Sequence, residues 1–113
     1  MTAKNNLVQA PPFEVDRALK KLGADLRTAR LRRNLTVEAT AAKIGTGRRA
    51  ILDAEKGKIS TQIGVYAGLL WAYGLVDRFS DAADPRFDEE GQRLALIGDR
   101  VHARSPKGLD NDF

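Results

Sequence analysis

Two adjacent arginines, Arg48 and Arg49, open a short run in which Leu52 and Asp53 follow at helical spacing. They lie in the basic part of the chain: residues 1–58 hold 13 Lys/Arg against 6 Asp/Glu, a balance of +7. Residues 59–113 hold 6 against 9, a balance of −3. The basic half is the place to look for a polyanion, and the acidic half implies a second surface with a different partner. The alternative is a solvated surface with ordinary scatter of charge. Other chemistries lack their residues. There is no Cys, hence no disulfide, thiolate zinc site or cysteine nucleophile, which fits a reducing compartment. A single histidine, His102, excludes a two-His metal motif and leaves a Ser-His-Asp triad without support. Gly45-Thr46-Gly47 is not a phosphate loop, since no strand precedes it and no Gly-Lys-Ser/Thr follows. The expectation is a protein that is not an enzyme and that needs no cofactor or metal.

The elements that must position these residues are helices. A chain of 113 residues supports one small domain with extra segments at its ends. Residues 1–12 are polar, aperiodic and closed by Pro11-Pro12, and read as a flexible arm. Val15, Leu19, Leu22, Leu26 and Ala29 then recur at three- and four-residue spacing and form one apolar stripe. Asn34 suits the end of that helix, because Asn tolerates the left-handed conformation. Thr36 reads as an N-cap for a helix from Val37 to Ile44 that stops at Gly45. A further helix runs from Arg48 to Ala54 or Glu55, with Gly57 after it. Ser60 or Thr61 starts the next one, which reaches Tyr73 and Gly74, and a short turn of helix follows to Phe79. After a polar linker, Asp88 caps a last helix carrying Leu94, Ile97 and Val101. No segment alternates with a period of two. The expected fold is all-α: a helix-turn-helix domain over 13–79, a linker and C-terminal helix over 80–101, and a flexible tail over 102–113. The longest apolar stretch, Ile63 to Val76, is too short to span a bilayer and contains Gly64, Gly68 and Gly74. The first six residues lack a secretion-signal pattern, so a cytoplasmic location is expected.

The centre of the chain has the physics of a helix-turn-helix. Ala41 is small where two helices must approach, Gly45 supplies a positive φ at the turn, and Ile44, Ile51 and Ala54 anchor the pair on its supports. The second helix then presents Arg48, Arg49, Leu52 and Asp53.

These residues, with Arg30, Thr36, Glu38, Lys43-Ile44-Gly45, Glu55, Gly57 and the later Leu69-Leu70-Trp71-Ala72-Tyr73-Gly74-Leu75, resemble the Xre/Cro-type helix-turn-helix family over about residues 19–76. The resemblance implies a lambda-repressor-like domain of four or five helices that binds double-stranded operator DNA as a homodimer. It implies a structural ion pair between Arg30 and Glu55. It places Arg48, Arg49, Leu52 and Asp53 at the bases, with Arg donating to guanine O6 and N7 and Leu52 touching a thymine methyl. Asp53 either accepts from a cytosine N4 or orients Arg49. Thr36, Thr46, Lys56, Lys58, Ser60 and Thr61 fall where phosphates are contacted. The sequence departs from the family pattern at Val37, Thr40 and Leu52, where the family often has Gln, Leu and a polar base reader.

Around this motif, Gly64, Gly68 and Ala72 form a smooth strip on which another helix can come close, and Val65 and Trp71 stand where the family often carries polar residues. These are the expected dimer or partner interface, with cover by the chain's own C-terminal helix as the alternative. The layout, a short domain with an extra helix and an aromatic-ended tail, resembles HipB-type antitoxins. They repress their own operon and bind a HipA-like kinase toxin. Phe113 would then be the toxin-contacting residue. A stand-alone or phage-type regulator, and an interaction module that has lost DNA binding, share the same core.

Overall fold

The computed structural model describes residues 5–104, and among them there are helices and no strand. Asn5 caps a single turn, α1 (Asn6–Gln9), through its side-chain oxygen, which accepts from Val8 N–H at 3.3 Å. This single turn lies within the stretch 1–12 that the sequence reads as a flexible arm. Pro12 leads into α2 (Phe13–Arg32), where its lost N–H costs nothing. That helix stops at Asn34, whose φ of 55° turns the chain left-handed.

The Thr36 hydroxyl oxygen accepts from Ala39 N–H at 3.0 Å and starts α3 (Val37–Ile44). Gly45, at φ 81°, ends it. α4 (Arg48–Glu55) follows after two residues and ends at Lys56 and Gly57. α5 (Ile63–Ala72) begins at Gln62, one or two residues later than Ser60 or Thr61 would have it. The reason is that the Thr61 hydroxyl is buried rather than turned back to cap the helix. Gly74, at φ 74°, closes α5, and α6 (Val76–Ser80) follows.

The chain divides into two compact units at Phe79/Ser80. The core of the first is Leu26, Ala29, Ala41, Ile51, Ala54, Tyr66, Leu69 and Tyr73, contributed by α2 to α5. Ile51, Ala54 and Leu69 are completely inaccessible. Two eight-residue helices would not hold alone in water, so α3 and α4 depend on this packing. Close approach is obtained with glycine. A side chain at Gly23 of α2 would stand 2.6 Å from the Ala54 carbonyl oxygen and from Gly57 N, and one at Gly57 would run into the Leu19 backbone. Thr40, fully buried in this core, donates its hydroxyl back to the Thr36 carbonyl at 2.9 Å.

The second unit has a 3₁₀ turn at Pro85–Phe87 and α7 (Glu89–Arg104). Asp84 caps the first by accepting from Arg86 N–H at 2.9 Å, and Asp88 caps the second by accepting from Gly91 N–H at 3.0 Å. α7 runs past Val101, so His102 belongs to the helix and not to a tail. Phe113 lies outside the described residues. No helix among the described residues is long and apolar enough to cross a membrane.

Candidate nucleic-acid interface

The anchor beneath the interface is the pair Arg30–Glu55. Arg30 Nε donates to Glu55 Oε2 at 2.7 Å and Nη2 to Oε1 at 3.0 Å, while Nη1 donates to the Leu35 carbonyl at 2.9 Å. Both side chains are less than a tenth exposed. The Glu55 hydrogen bonds hold the Arg30 guanidinium above its ordinary pKa, against the opposing effect of burial. The fork ties α2 to the last residue of α4 and so sets how α4 leaves the body.

At the other end of α4, Gly47 offers no side-chain cap and the first turn carries no acid. Arg48 and Arg49 are both exposed there. Arg48 Nε donates to Glu38 Oε2 at 2.9 Å, clasping the start of α4 to the first turn of α3. The Glu38 carboxyl is held below its ordinary pKa, first by its own backbone N–H and then by Arg48. Arg49 has no such partner among the described residues. Two cations at the positive end of a helix dipole raise the local potential, and the free N–H groups of the first turn point the same way.

The remaining expected residues sort by exposure. Leu52 is half-buried beside the arginines. Asp53 does not orient Arg49. Its carboxylate faces Lys58, with Nζ 3.9 Å from Oδ2, and its side chain is only 20% exposed, which takes it away from the helix's open face. Thr36, Lys56, Lys58 and Ser60 are exposed and Thr46 is half-buried. Thr61 is turned inward with its hydroxyl buried, beside Tyr66, so it does not face a phosphate as expected. The Tyr66 hydroxyl donates to the Lys58 carbonyl at 2.8 Å and pins the loop after α4. Burial raises the Tyr66 phenol pKa.

The strip on α5 is not the open surface that was expected. A Cβ at Gly68 would lie 3.3 Å from Ile44 Cδ1, so the helix that comes close is α3 of the same chain. Val65 and Ala72 pack against the core. Gly64 is open and Trp71 is 57% exposed, so these two are left as available surface.

Three contributors were not visible in the sequence. Glu38 reaches Arg48 across ten residues. Gly23 admits the α4 backbone. Arg33 donates to the Ala29 and Tyr73 carbonyls at 2.9 and 3.1 Å, with its guanidinium 5.3 Å from the Tyr73 ring centre, and locks the end of α2 to that of α5. A small residue facing inward on the α2 stripe is the one signal that points to Gly23. The other two depend on tertiary contact.

No curated protein and no solved structure matches the chain. The family model of the helix-turn-helix domain matches residues 21–79, which takes in α3, α4, the turn between them and Arg48, Arg49, Lys56 and Lys58. With a buried anchor at one end of α4 and exposed arginines at the other, the chain belongs to the helix-turn-helix domain family, of the Xre/Cro type, a family of DNA-binding regulators.

Proposed function

We propose that the protein is a sequence-specific transcriptional repressor that binds operator DNA as a homodimer. One observation carries this reading: the uncapped, acid-free start of α4 exposes Arg48 and Arg49, and Arg49 has no protein partner among the described residues. Holding cations at a helix N-terminus is unfavourable in the free protein, and a bound anion offsets that cost. Arg49 reads guanine through its forked donors. Arg48 joins it by exchanging Glu38 for the DNA. Lys56, Lys58 and Ser60, one helix length away, hold phosphates and supply affinity and salt dependence. Two copies are needed because one α4 reads few base pairs, and a dyad places two about 34 Å apart. Trp71 and Gly64 on α5 supply the surface for that pairing. On this reading the protein does no catalysis of its own.

The test is binding of the full chain to the DNA upstream of its own gene, measured by fluorescence anisotropy. Replacing Arg48 and Arg49 together by Ala abolishes specific binding. Replacing Lys56 and Lys58 weakens binding to all sequences and lowers the salt slope by about one for each phosphate that is no longer neutralised. Unchanged binding by the Arg48/Arg49 double variant removes the proposal.

The finer assignment is the antitoxin of a type II pair, which represses its own operon and binds a HipA-like kinase toxin. It rests on the resemblance of the layout. A kinase-like reading frame next to this gene, whose product co-purifies with the full chain, supports it. A locus without one leaves the stand-alone regulator.

A further inference from the structure

α7 carries a seven-residue repeat that the DNA-binding reading does not use. Arg93-Leu94 is followed seven residues later by Arg100-Val101, and Gly91 by Gly98, with Ile97 between. A period of seven keeps each type on one line along the helix. Leu94, Ile97 and Val101 form the ridge, 60%, 55% and 58% exposed. The two arginines line one flank and the two glycines the other. The repeat begins before the helix with Arg86-Phe87, but Arg86 is occupied there, paired with Asp84 at 2.7 Å and stacked 5.5 Å from the Phe87 ring centre. Arg93 and Arg100 have no partner among the described residues.

We propose that α7 is a docking helix for an acidic protein partner: an apolar groove takes Leu94, Ile97 and Val101, and two carboxylates on its rim, about 10 Å apart, receive Arg93 and Arg100. On the other flank Gly98 has open space where a side chain would stand and lets the opposite wall of the groove approach the α7 backbone, while Gly91 is covered by its Asp88 cap. Charge decides the occupant. An antiparallel second copy would set Arg93 of one chain beside Arg100 of the other, which is repulsive, and a parallel copy would set Arg93 opposite Gly98, which offers no acceptor. A polyanion is disfavoured because Glu89, Glu90 and Asp99 share the helix. A carboxylate-rimmed groove satisfies both the ridge and its arginine flank.

The probe is a labelled synthetic peptide of three heptads with Leu at its core positions and Glu on both flanks, and a twin with Lys in place of Glu. The full chain binds the Glu peptide at physiological salt and binds the Lys twin at least about tenfold more weakly. Arg93→Glu with Arg100→Glu inverts that preference, and the gain of Lys-twin binding shows that the variant helix still forms. Ile97→Asp loses both. Arg48→Ala with Arg49→Ala keeps the Glu-peptide complex, which separates α7 from general attraction to the basic unit. Operator DNA affinity is unchanged in the Arg93/Arg100 variant. Failure of the DNA-binding reading therefore leaves this result intact, and the reverse holds too. No discrimination between the peptides, or an unaltered preference in the Arg93/Arg100 variant, overturns the proposal. So does self-association in the ultracentrifuge that Ile97→Asp abolishes, which would make the ridge a dimer contact. A fall in DNA affinity in the Arg93/Arg100 variant overturns it in favour of nucleic acid.

Discussion

In the first unit Arg30 and Glu55, twenty-five residues apart, meet in a buried fork, and side chains from four helices close over Leu69. In the second, the side-chain hydrogen bonds of Asp84, Arg86, Asp88 and Gln92 stay within seven positions, and Leu94, Leu96, Ile97 and Val101 are all more than half exposed. One region is held by contacts distant in sequence and the other by local caps at Asp84 and Asp88. The difference teaches where each kind of work is placed. A reader of DNA must hold two arginines at fixed positions, which requires a rigid frame. A helix that docks into a groove keeps its apolar ridge uncovered and relies on its partner for burial.

Substitutions break or sharpen that contrast. The largest effect is expected at Glu55. Glu55→Gln strands the Arg30 guanidinium in a buried site and costs about 3–5 kcal/mol of unfolding free energy in a denaturant titration. Arg30→Met together with Glu55→Leu lies closer to the parent than the single variant does. Next, Leu69→Ala costs about 2–5 kcal/mol, whereas Ile97→Ala in the second unit stays within about 0.5 kcal/mol. Equal losses at the two sites would mean that α7 is part of the same core. Smaller again, Arg49→Ala relaxes the choice of one base by about 1–3 kcal/mol, read by anisotropy against single-base variants of the bound DNA, with stability unchanged. Thr36→Ala removes the α3 cap and costs about 1 kcal/mol.

The smallest effect is at Glu38. Its folded pKa is depressed, so its stabilising effect is present above the ordinary carboxylate pKa and is lost as pH falls through the folded value. Glu38→Gln removes that acid dependence, measured as a flatter stability profile in the acid range. Because Arg48 is also released, DNA affinity holds or rises.

Much of the frame was legible along the chain. Thr36, Gly45 and Gly57 bound α3 and α4, because caps and positive-φ turns act within a few residues and leave their mark locally. The arginines at the start of α4 are read in the same way. Other parts were not legible. Asp53 was expected beside Arg49 and faces Lys58 instead, because two groups on one helix cannot report which neighbour a loop brings in. Thr61 was expected at the surface and is buried, since a hydroxyl serves a cap or a core equally well until the adjacent helix is placed. Gly68 resembles a surface for a second molecule in one dimension and is the seat of Ile44 in three.

What the linear order of residues determined by itself is the set of helices, their stops, and the exposure of Arg48 and Arg49, all consequences of periodicity and local backbone preference. The Arg30–Glu55 pair, which the family resemblance already implied, is present as expected. Tertiary structure alone decided the other charges: Arg48 finds Glu38 and Arg49 finds none among the described residues, because pairing depends on how helices cross.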